Sequence, residues 1–462
     1  MIILSIPYKS EEFVKNLPNV NNFDFIEFRL DYHPVPLTFP KELINPKTII
    51  TIRDDSEKET PSAQEISTPE KIEYYTKVIE ENNCFVDVEL SLLVDTSVSD
   101  FVKKYSKNII LSHHNFSPET NFESLKKVIQ YSNKIPSAYT KTAVSISRYD
   151  DLLKLKEVNK LSENPLISVG MGKLGKISRI LYKHLGSVGT FIGANDAPTA
   201  SGQLTTEEAK LYNLTNLNEN TKIGGIIGGE QASESLGLKF YNNYFAEKKL
   251  NAVYLPFATK DLSELKEWIL KSGIKFYGFS VTMPYKEEVG IGRKEIGEKF
   301  SAANLWLPET DEFFNTDLIA FEKSFKYLEL KKDDKILIYG SGATAETALF
   351  ALKNYCNVFV SGRNTEKTNF LADKYSRKVL SEYSKTEINL FINCTPIVAG
   401  AEKFAKEKFS NQNIKVIDLP YSDKKTSLIE NCIKEKIPYI DGEIFWEYQS
   451  EKQLIEFRKQ KT

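Results

Sequence analysis

Short apolar runs alternate with amphipathic, charge-laced stretches through the first two hundred residues: Ile2–Ile6, Phe23–Arg29, Thr48–Arg53, Phe85–Leu90, Asn108–Ser112, Ala138–Val144, Leu166–Gly170 and Val188–Gly193. Runs of four to eight residues rich in Ile, Val and Phe predict strands buried on both faces. The gaps, such as Pro69–Asn82 and Phe122–Asn133, are long enough for crossover helices. Repeated βα units of this kind close into a parallel (β/α)8 barrel, with an open doubly wound sheet as the alternative.

A polar stretch between Thr206 and Lys222 reads as a closing helix and a linker. Beyond it, Lys222–Gly228, Ala252–Pro256 and Phe276–Val281 predict strands with helices between them. A new βαβ series starts at Asp333–Gly340 and continues through Asn357–Ser361, Asn389–Asn393 and Lys415–Leu419. The fold class is therefore α/β throughout, a barrel followed by a two-lobed α/β unit.

Composition narrows the partners. Among 462 residues, 61 Lys and Arg against 63 Asp and Glu leave a net charge of -2, which gives no electrostatic reason to expect nucleic acid or an anionic membrane. Small-molecule partners are expected, with the chain a monomer or homodimer. Cys84, Cys356, Cys394 and Cys432 form no CxxC pair and no His lies at ligand spacing, so neither a disulfide frame nor a metal site is expected, and a reducing cytoplasm fits. Met1–Pro7 is too short for a signal peptide and no apolar run approaches the ~18 residues of a spanning helix.

Barrel enzymes carry their reactive groups at the C-terminal ends of the strands, and the unusual residues fall there: Glu27 and Arg29, Arg53, Glu89, His113 and His114, with Lys141 inside the sixth run. Burial disfavours a charged amine, so Lys141, between the short side chains of Thr140 and Thr142, is a candidate nucleophile for a carbonyl. A lysine snorkelling to the rim is the alternative. His114 supplies a group that titrates near neutrality, and Glu89, one strand away, is expected to orient it. Arginines that bind carboxylates through paired hydrogen bonds imply an anionic substrate, with Arg179 the expected clamp. Schiff-base proton abstraction and elimination on a keto acid follows.

Over Met1–Thr205 the chain resembles type I 3-dehydroquinate dehydratases, through EFRLD at Glu27–Asp31, DVEL at Asp87–Leu90, HHNF at His113–Phe116, TKTA at Thr140–Ala143, ISR at Ile177–Arg179 and TASGQ at Thr199–Gln203. The resemblance implies that Lys141 forms the imine with 3-dehydroquinate, His114 is the general acid and base, and Glu89 supports it. It also implies that Ser5, Glu27, Arg29, Arg53, Arg179, Thr199 and Gln203 bind substrate. Asn115, Thr199 and Ser201 stand where the family usually has Asp, Ser and Pro.

Tyr339-Gly340-Ser341-Gly342-Ala343-Thr344-Ala345 follows a predicted strand and opens a helix, as a dinucleotide fingerprint does. The next strand ends in Ser361-Gly362-Arg363-Asn364, where a basic residue in place of an acidic one favours NADP. Lys286 and Asp317 can manage a hydroxyl proton during hydride transfer without a metal. This half resembles shikimate dehydrogenases over Lys222–Glu456, through GFSVTMPYK, SAAN, NTD, the GSGATA loop, GRNTEK, NCTP, DLPY and DG followed by Gln449. The resemblance implies a Lys286–Asp317 dyad. Ser235, Thr282, Asn304, Tyr421 and Gln449 would surround shikimate, while Gly340, Ser341, Gly342, Ala343, Thr344, Arg363, Thr395 and Gly442 would line the NADP site.

The family usually offers two serines to the substrate carboxylate, whereas Ser235-Leu236-Gly237 keeps one and Glu234 replaces a histidine. The expected organisation is a dehydratase barrel over residues 1–210, a substrate lobe over 221–322 completed by 440–462, and a Rossmann lobe over 323–439. The implied activities are consecutive: dehydration to 3-dehydroshikimate, then NADPH-dependent reduction to shikimate. Two rivals stay open. One is an aldolase-like barrel fused to a quinate-type dehydrogenase; the other gives the redox half weak activity or a binding role.

Overall fold

The computed structural model describes residues 1–10, 12, 23–58, 66–194, 198–200, 202–290, 302–380, 387–396, 413–420 and 424–459. Its chain divides into two compact units. The first comprises Met1–Ile223, Lys239–Leu255 and Asp261–Lys275; the second comprises Gly224–Leu238, Pro256–Lys260 and Phe276–Thr462.

All eight predicted N-terminal strands are present: β1 (Ile2–Pro7), β2 (Phe25–Arg29), β3 (Thr48–Thr51), β4 (Phe85–Glu89), β5 (Ile109–Asn115), β6 (Tyr139–Ser145), β7 (Leu166–Met171) and β8 (Thr190–Gly193). They form a curled parallel sheet in the order β7-β6-β5-β4-β3-β2-β1-β8, with a two-residue β9 (Leu204–Thr205) beside β8. Crossover helices include α1 (Thr68–Asn82), α2 (Thr96–Lys104), α3 (Phe122–Ser132), α4 (Tyr149–Asn159) and α5 (Gly175–Ile180). The sequence shows why α1 starts and stops where it does. Ser67 and Glu70 form a reciprocal capping box, Pro69 occupies the first turn, and Asn83 ends the helix in the left-handed region at φ 52.

Side chains along a strand alternate in direction, and this sorts the sheet into layers. Ile3, Ile49, Ile110 and Ile167 pack into one apolar cluster. Two residues further along their own strands stand Ser5, Thr51, Ser112 and Val169, and the same step on the neighbouring strands brings up Glu27, Asp87 and Lys141. A greasy floor therefore carries a layer that is polar at all of these positions but Val169, and a one-residue slip in any strand would turn its side chains to the opposite face of the sheet.

The curl of the sheet brings the first and last strands of the series, β7 and β8, side by side. Among the described residues, the seam between β7 and β8 is bridged by Val188 N–H donating to Leu166 O at 2.9 Å. Arg179 from α5 donates there too, from Nε to Gly170 O at 3.1 Å and from Nη1 to Phe191 O at 3.0 Å. A guanidinium thus takes up carbonyls that a strand pair would otherwise share.

A five-stranded sheet follows in the order β11-β10-β12-β13-β14, built from β10 (Lys222–Gly228), β11 (Ala252–Ala258), β12 (Phe276–Val281), β13 (Leu305–Leu307) and β14 (Glu312–Phe314). The third sheet is parallel throughout, ordered β17-β16-β15-β18-β19-β20, from β15 (Ile336–Tyr339), β16 (Val358–Ser361), β17 (Lys378–Val379), β18 (Leu390–Asn393), β19 (Lys415–Asp418) and β20 (Tyr439–Asp441). The order reverses direction at β15, the kind of switch point at which open α/β sheets bind ligands. The closing helix, here α6 (Gly442–Lys459), brings Phe445 into the core of this sheet. No helix among the described residues is long and apolar enough to cross a membrane.

Candidate active sites

The polar layer of the curled sheet opens into a cavity of about 590 Å³. Ser5, Glu27, Arg29, Arg53, His114, Lys141, Arg179, Thr199 and Gln203, all singled out from the sequence, line it. The Lys141 amine lies 3.0 Å from Asp87 Oδ2, 3.4 Å from Glu27 Oε1 and 4.1 Å from the centre of the Phe191 ring. Burial therefore does not act on the amine alone. Two carboxylates stand beside it, each within ion-pair distance.

Glu27 accepts from Ser5 Oγ, and from Thr51 Oγ1 at 2.9 Å. Burial raises its pKa, but Lys141 and Arg29 outweigh this and leave it lowered. Asp87, which the sequence reading passed over, is fully buried between Arg53 Nη2 at 2.8 Å, Lys141, and the Ser112 hydroxyl at 2.5 Å. Burial opposes its charge, yet Arg53 and Lys141 hold it well below the usual carboxylate range. Ser5 Oγ meets Thr199 Oγ1 at 2.8 Å, and Gln203 Oε1 accepts from Thr199 N at 2.8 Å.

Glu89 is not the partner of His114. Its oxygens are taken by Lys71 Nζ at 2.5 Å, Asp54 N at 2.8 Å and Arg53 Nη1 at 3.3 Å, so it anchors α1 and the loop after β3. His114 Nδ1 lies instead 2.9 Å from Glu57 Oε2, which also accepts from the His114 backbone N–H at 3.1 Å. Glu57 Oε1 takes the Ser91 hydroxyl at 2.9 Å. The available signal was position: Glu57 stands four residues after Arg53 in Arg53-Asp54-Asp55-Ser56-Glu57. His113 and His114 lie inside β5 rather than after it. Burial pushes the Glu57 carboxyl up to about 7, with Arg53 countering in part. Burial, aided by Arg53 and Lys141, lowers the His114 imidazole well below its ordinary value. A neutral ring donating from Nδ1 to Glu57 leaves Nε2 as a base.

Arg179 is buried with no carboxylate partner among the described residues, and burial alone lowers its pKa to about 9. A buried guanidinium without a counter-anion suits an anionic ligand.

In the second unit, Lys286 Nζ lies 2.6 Å from Asp317 Oδ2. Asn304 Nδ2 donates to Asp317 Oδ1 and to Gln449 Oε1, each at 2.8 Å. Four sequence-predicted residues therefore meet. Thr282 follows β12, with its N–H donating to Ile227 O at 2.9 Å. Ser235 Oγ accepts from Gly237 N at 3.2 Å. Tyr421 and Ser201 lie outside the described residues.

The dinucleotide loop leaves β15 through Gly340, whose φ of +137 favours glycine; a Cβ there would meet the Cys394 backbone at 3.2 Å. Gly342 caps the following helix, α7 (Ala343–Ala351), and a Cβ on it would meet nothing within 4 Å. Ser341 and Thr344 flank this open cradle, and Arg363 is exposed just beyond β16. The loop thus fits a pyrophosphate and a neighbouring phosphate. Thr395 Oγ1 bonds Asn393 Oδ1 at 2.8 Å. Gly442 has a packing role, because a Cβ there would lie 2.5 Å from Leu419 O.

Residues 4–219 match the family model "Type I 3-dehydroquinase", and residues 227–296 match "Shikimate dehydrogenase substrate binding domain". The chain is 30% identical over 236 residues to a shikimate dehydrogenase (NADP(+)) of Clostridium botulinum, covering 47% of this chain and 90% of that protein. It is 26% identical over 381 residues to the pentafunctional AROM polypeptide 1 of Lodderomyces elongisporus, covering 76% of this chain and 24% of that one. A solved structure of dehydroquinate dehydratase and shikimate dehydrogenase from S. pombe AroM aligns over 99% of this chain and 95% of its own, at 20% identity and a TM-score of 0.40. The chain belongs to the shikimate dehydrogenase family and carries a type I 3-dehydroquinase domain ahead of it, so one polypeptide holds a lyase and an oxidoreductase of the shikimate pathway.

Proposed function

We propose that the Lys141 amine attacks the ketone carbon of 3-dehydroquinate and forms an imine, the ketone oxygen leaving as water with the protons that the nitrogen gives up, relayed by His114. His114 Nε2 then removes the proton from the carbon next to the imine, and the β-hydroxyl leaves as water, taking a proton back from His114. Water hydrolyses the imine and frees 3-dehydroshikimate. Glu57 replaces Glu89 as the group that fixes the imidazole. Arg179 takes the carboxylate with Thr199 and Gln203, while Ser5, Glu27, Arg29 and Arg53 face the hydroxyls. The observation that carries this reading is one cavity lined by an amine, an imidazole and an arginine with no carboxylate partner among the described residues.

In the second unit Lys286 and Asp317 exchange the hydroxyl proton, with Ser235, Thr282, Asn304, Tyr421 and Gln449 around the substrate. NADPH supplies the hydride, and the Gly340–Thr344 loop, Arg363, Thr395 and Gly442 hold it. The barrel spans 1–210, the substrate lobe 221–322 with 440–462, and the cofactor lobe 323–439. The protein works in the cytoplasm on small molecules, as a monomer or homodimer.

The test feeds dehydroquinate and follows both dehydration and NADPH oxidation in Lys141→Ala and Lys286→Ala chains. Both variants are expected to lose coupled reduction, with dehydration surviving only in the second. Borohydride with dehydroquinate is expected to fix an adduct on Lys141; an unlabelled Lys141 would overturn the imine. A second reading, a redox half with weak or quinate-type activity, rests on Gly237, which offers the carboxylate no hydroxyl.

A further inference from the structure

The Lys286–Asp317 pair is the end of a longer buried chain of hydrogen bonds that starts on β12 and passes through the C-terminal helix α6. Ser280 Oγ lies 2.6 Å from Gln453 Oε1. The other end of that amide, Nε2, donates to Thr316 Oγ1 at 3.2 Å and to Asn304 O at 3.3 Å. Thr316 sends its N–H to Asn304 Oδ1 at 2.7 Å and its hydroxyl to the same oxygen at 3.1 Å. Asn304 Nδ2 is thereby turned towards Asp317 Oδ1, 2.8 Å away. Gln453, Ser280, Asn304, Thr316 and Asp317 are all buried.

Direction follows from donor and acceptor chemistry. A serine hydroxyl offers one proton, and giving it to Gln453 Oε1 sets which end of that amide faces Thr316. The Gln453 N–H then occupies an acceptor position of the Thr316 hydroxyl, leaving its proton for Asn304. With two donors on Oδ1, the Asn304 amide cannot flip without placing oxygen against oxygen. Gln453 lies one helical turn after Gln449, so both reach the same face of α6.

We propose that Gln453 is a positioning residue of the reduction site: through Thr316 and Asn304 it fixes the face that the Asp317 carboxylate presents to the Lys286 amine. The inference rests on the assignment of Lys286 and Asp317 to proton transfer.

The test uses the full chain, with near-ultraviolet circular dichroism and the urea midpoint as controls of folding, and measures kcat and its pH profile for NADP-dependent shikimate oxidation. In Gln453→Leu the kcat is expected to fall roughly five- to thirtyfold, the loss of about one or two hydrogen bonds. The acid limb of the profile is expected to move by at least half a pH unit. Gln453→Glu keeps the size but cannot donate, and is expected to fall as far. Ser280→Ala is expected to fall less by itself and to add nothing in the Gln453→Leu background, because both act through one chain. An unshifted profile with kcat within twofold in Gln453→Leu, or additive losses in the double variant, overturns the proposal. Should Gln453→Leu change the near-ultraviolet spectrum, Ser280→Ala decides alone, and an unshifted profile there overturns it too. Full shikimate oxidation by Lys286→Ala would sink the underlying assignment instead, whatever the Gln453 variants do.

Discussion

Glu57 and His114 pull stability in opposite directions as pH changes. The Glu57 carboxyl is raised from 4.5 to about 7, so the folded state holds its proton more tightly than the unfolded state. The stability this contributes is complete below about pH 4.5 and is lost as pH rises through 7. His114, lowered from 6.5 by burial, contributes stability above that value and loses it as pH falls. Glu57→Gln removes the first effect and keeps hydrogen-bonding reach. In urea unfolding, the stability of this variant relative to the parent is expected to improve between pH 5 and 7.5 by about 1 to 3 kcal/mol. A difference that stays flat would place the Glu57 proton elsewhere. Dehydratase kcat in the same variant is expected to drop roughly tenfold or more, because the imidazolium formed during turnover loses its anionic partner. In the second unit, Gly237→Ser restores a hydroxyl beside Ser235. A hydrogen bond to a charged group is worth about 1.5 to 3 kcal/mol, so the shikimate KM is expected to fall at least tenfold, as read from initial rates. An unchanged KM would mean that the carboxylate is held by other groups.

Elements show where a sequence discloses its fold and where it does not. The eight parallel strands were legible because they are apolar on both faces, and the layer of Ile3, Ile49, Ile110 and Ile167 leaves no ambiguity of register. The end of β5 was not: His114 lines the cavity and His113 and Asn115 flank it in the strand, so strand residues there carry the composition of a loop. Glu89 shares its strand direction with Asp87, which made it the apparent partner of His114. The contact that formed depends on how the segment after β3 folds back, and no periodicity encodes that. Gln453 left a trace, a second glutamine one turn after Gln449, but its partners come from β12 and the start of a distant helix. The β7–β8 seam was equally invisible, since part of what bridges it is one side chain. Arg179 serves two carbonyls, and a lysine has a single nitrogen. Arg179→Lys is therefore expected to lower unfolding stability by about 1 to 3 kcal/mol, the cost of a buried carbonyl left unpaired. Amide exchange is expected to rise in β7 and β8, and the dehydroquinate KM with it. Unchanged exchange along both strands would show that the seam holds without the guanidinium.

At the scale of the whole molecule, the described groups proposed for each reaction fall in one compact unit. The cavity residues from Ser5 to Gln203 belong to the first, and Lys286, Asn304, Asp317 and Gln449 to the second. A substitution at one proposed site therefore removes no named group of the other. On the proposed mechanism the intermediate leaves the first site once imine hydrolysis has removed its covalent tie, and only reversible contacts retain it afterwards. Free release is the expected behaviour. An equimolar mixture of Lys141→Ala and Lys286→Ala chains, one carrying only the reductase and the other only the dehydratase, is therefore expected to oxidise NADPH from dehydroquinate. Its steady rate should lie within about twofold of the parent at matched site concentrations, after a lag that shortens as the reductase chain is raised. A parent that shows no lag at concentrations where the mixture shows a long one would mean that the intermediate passes within a single chain, and the independence of the two sites would fail.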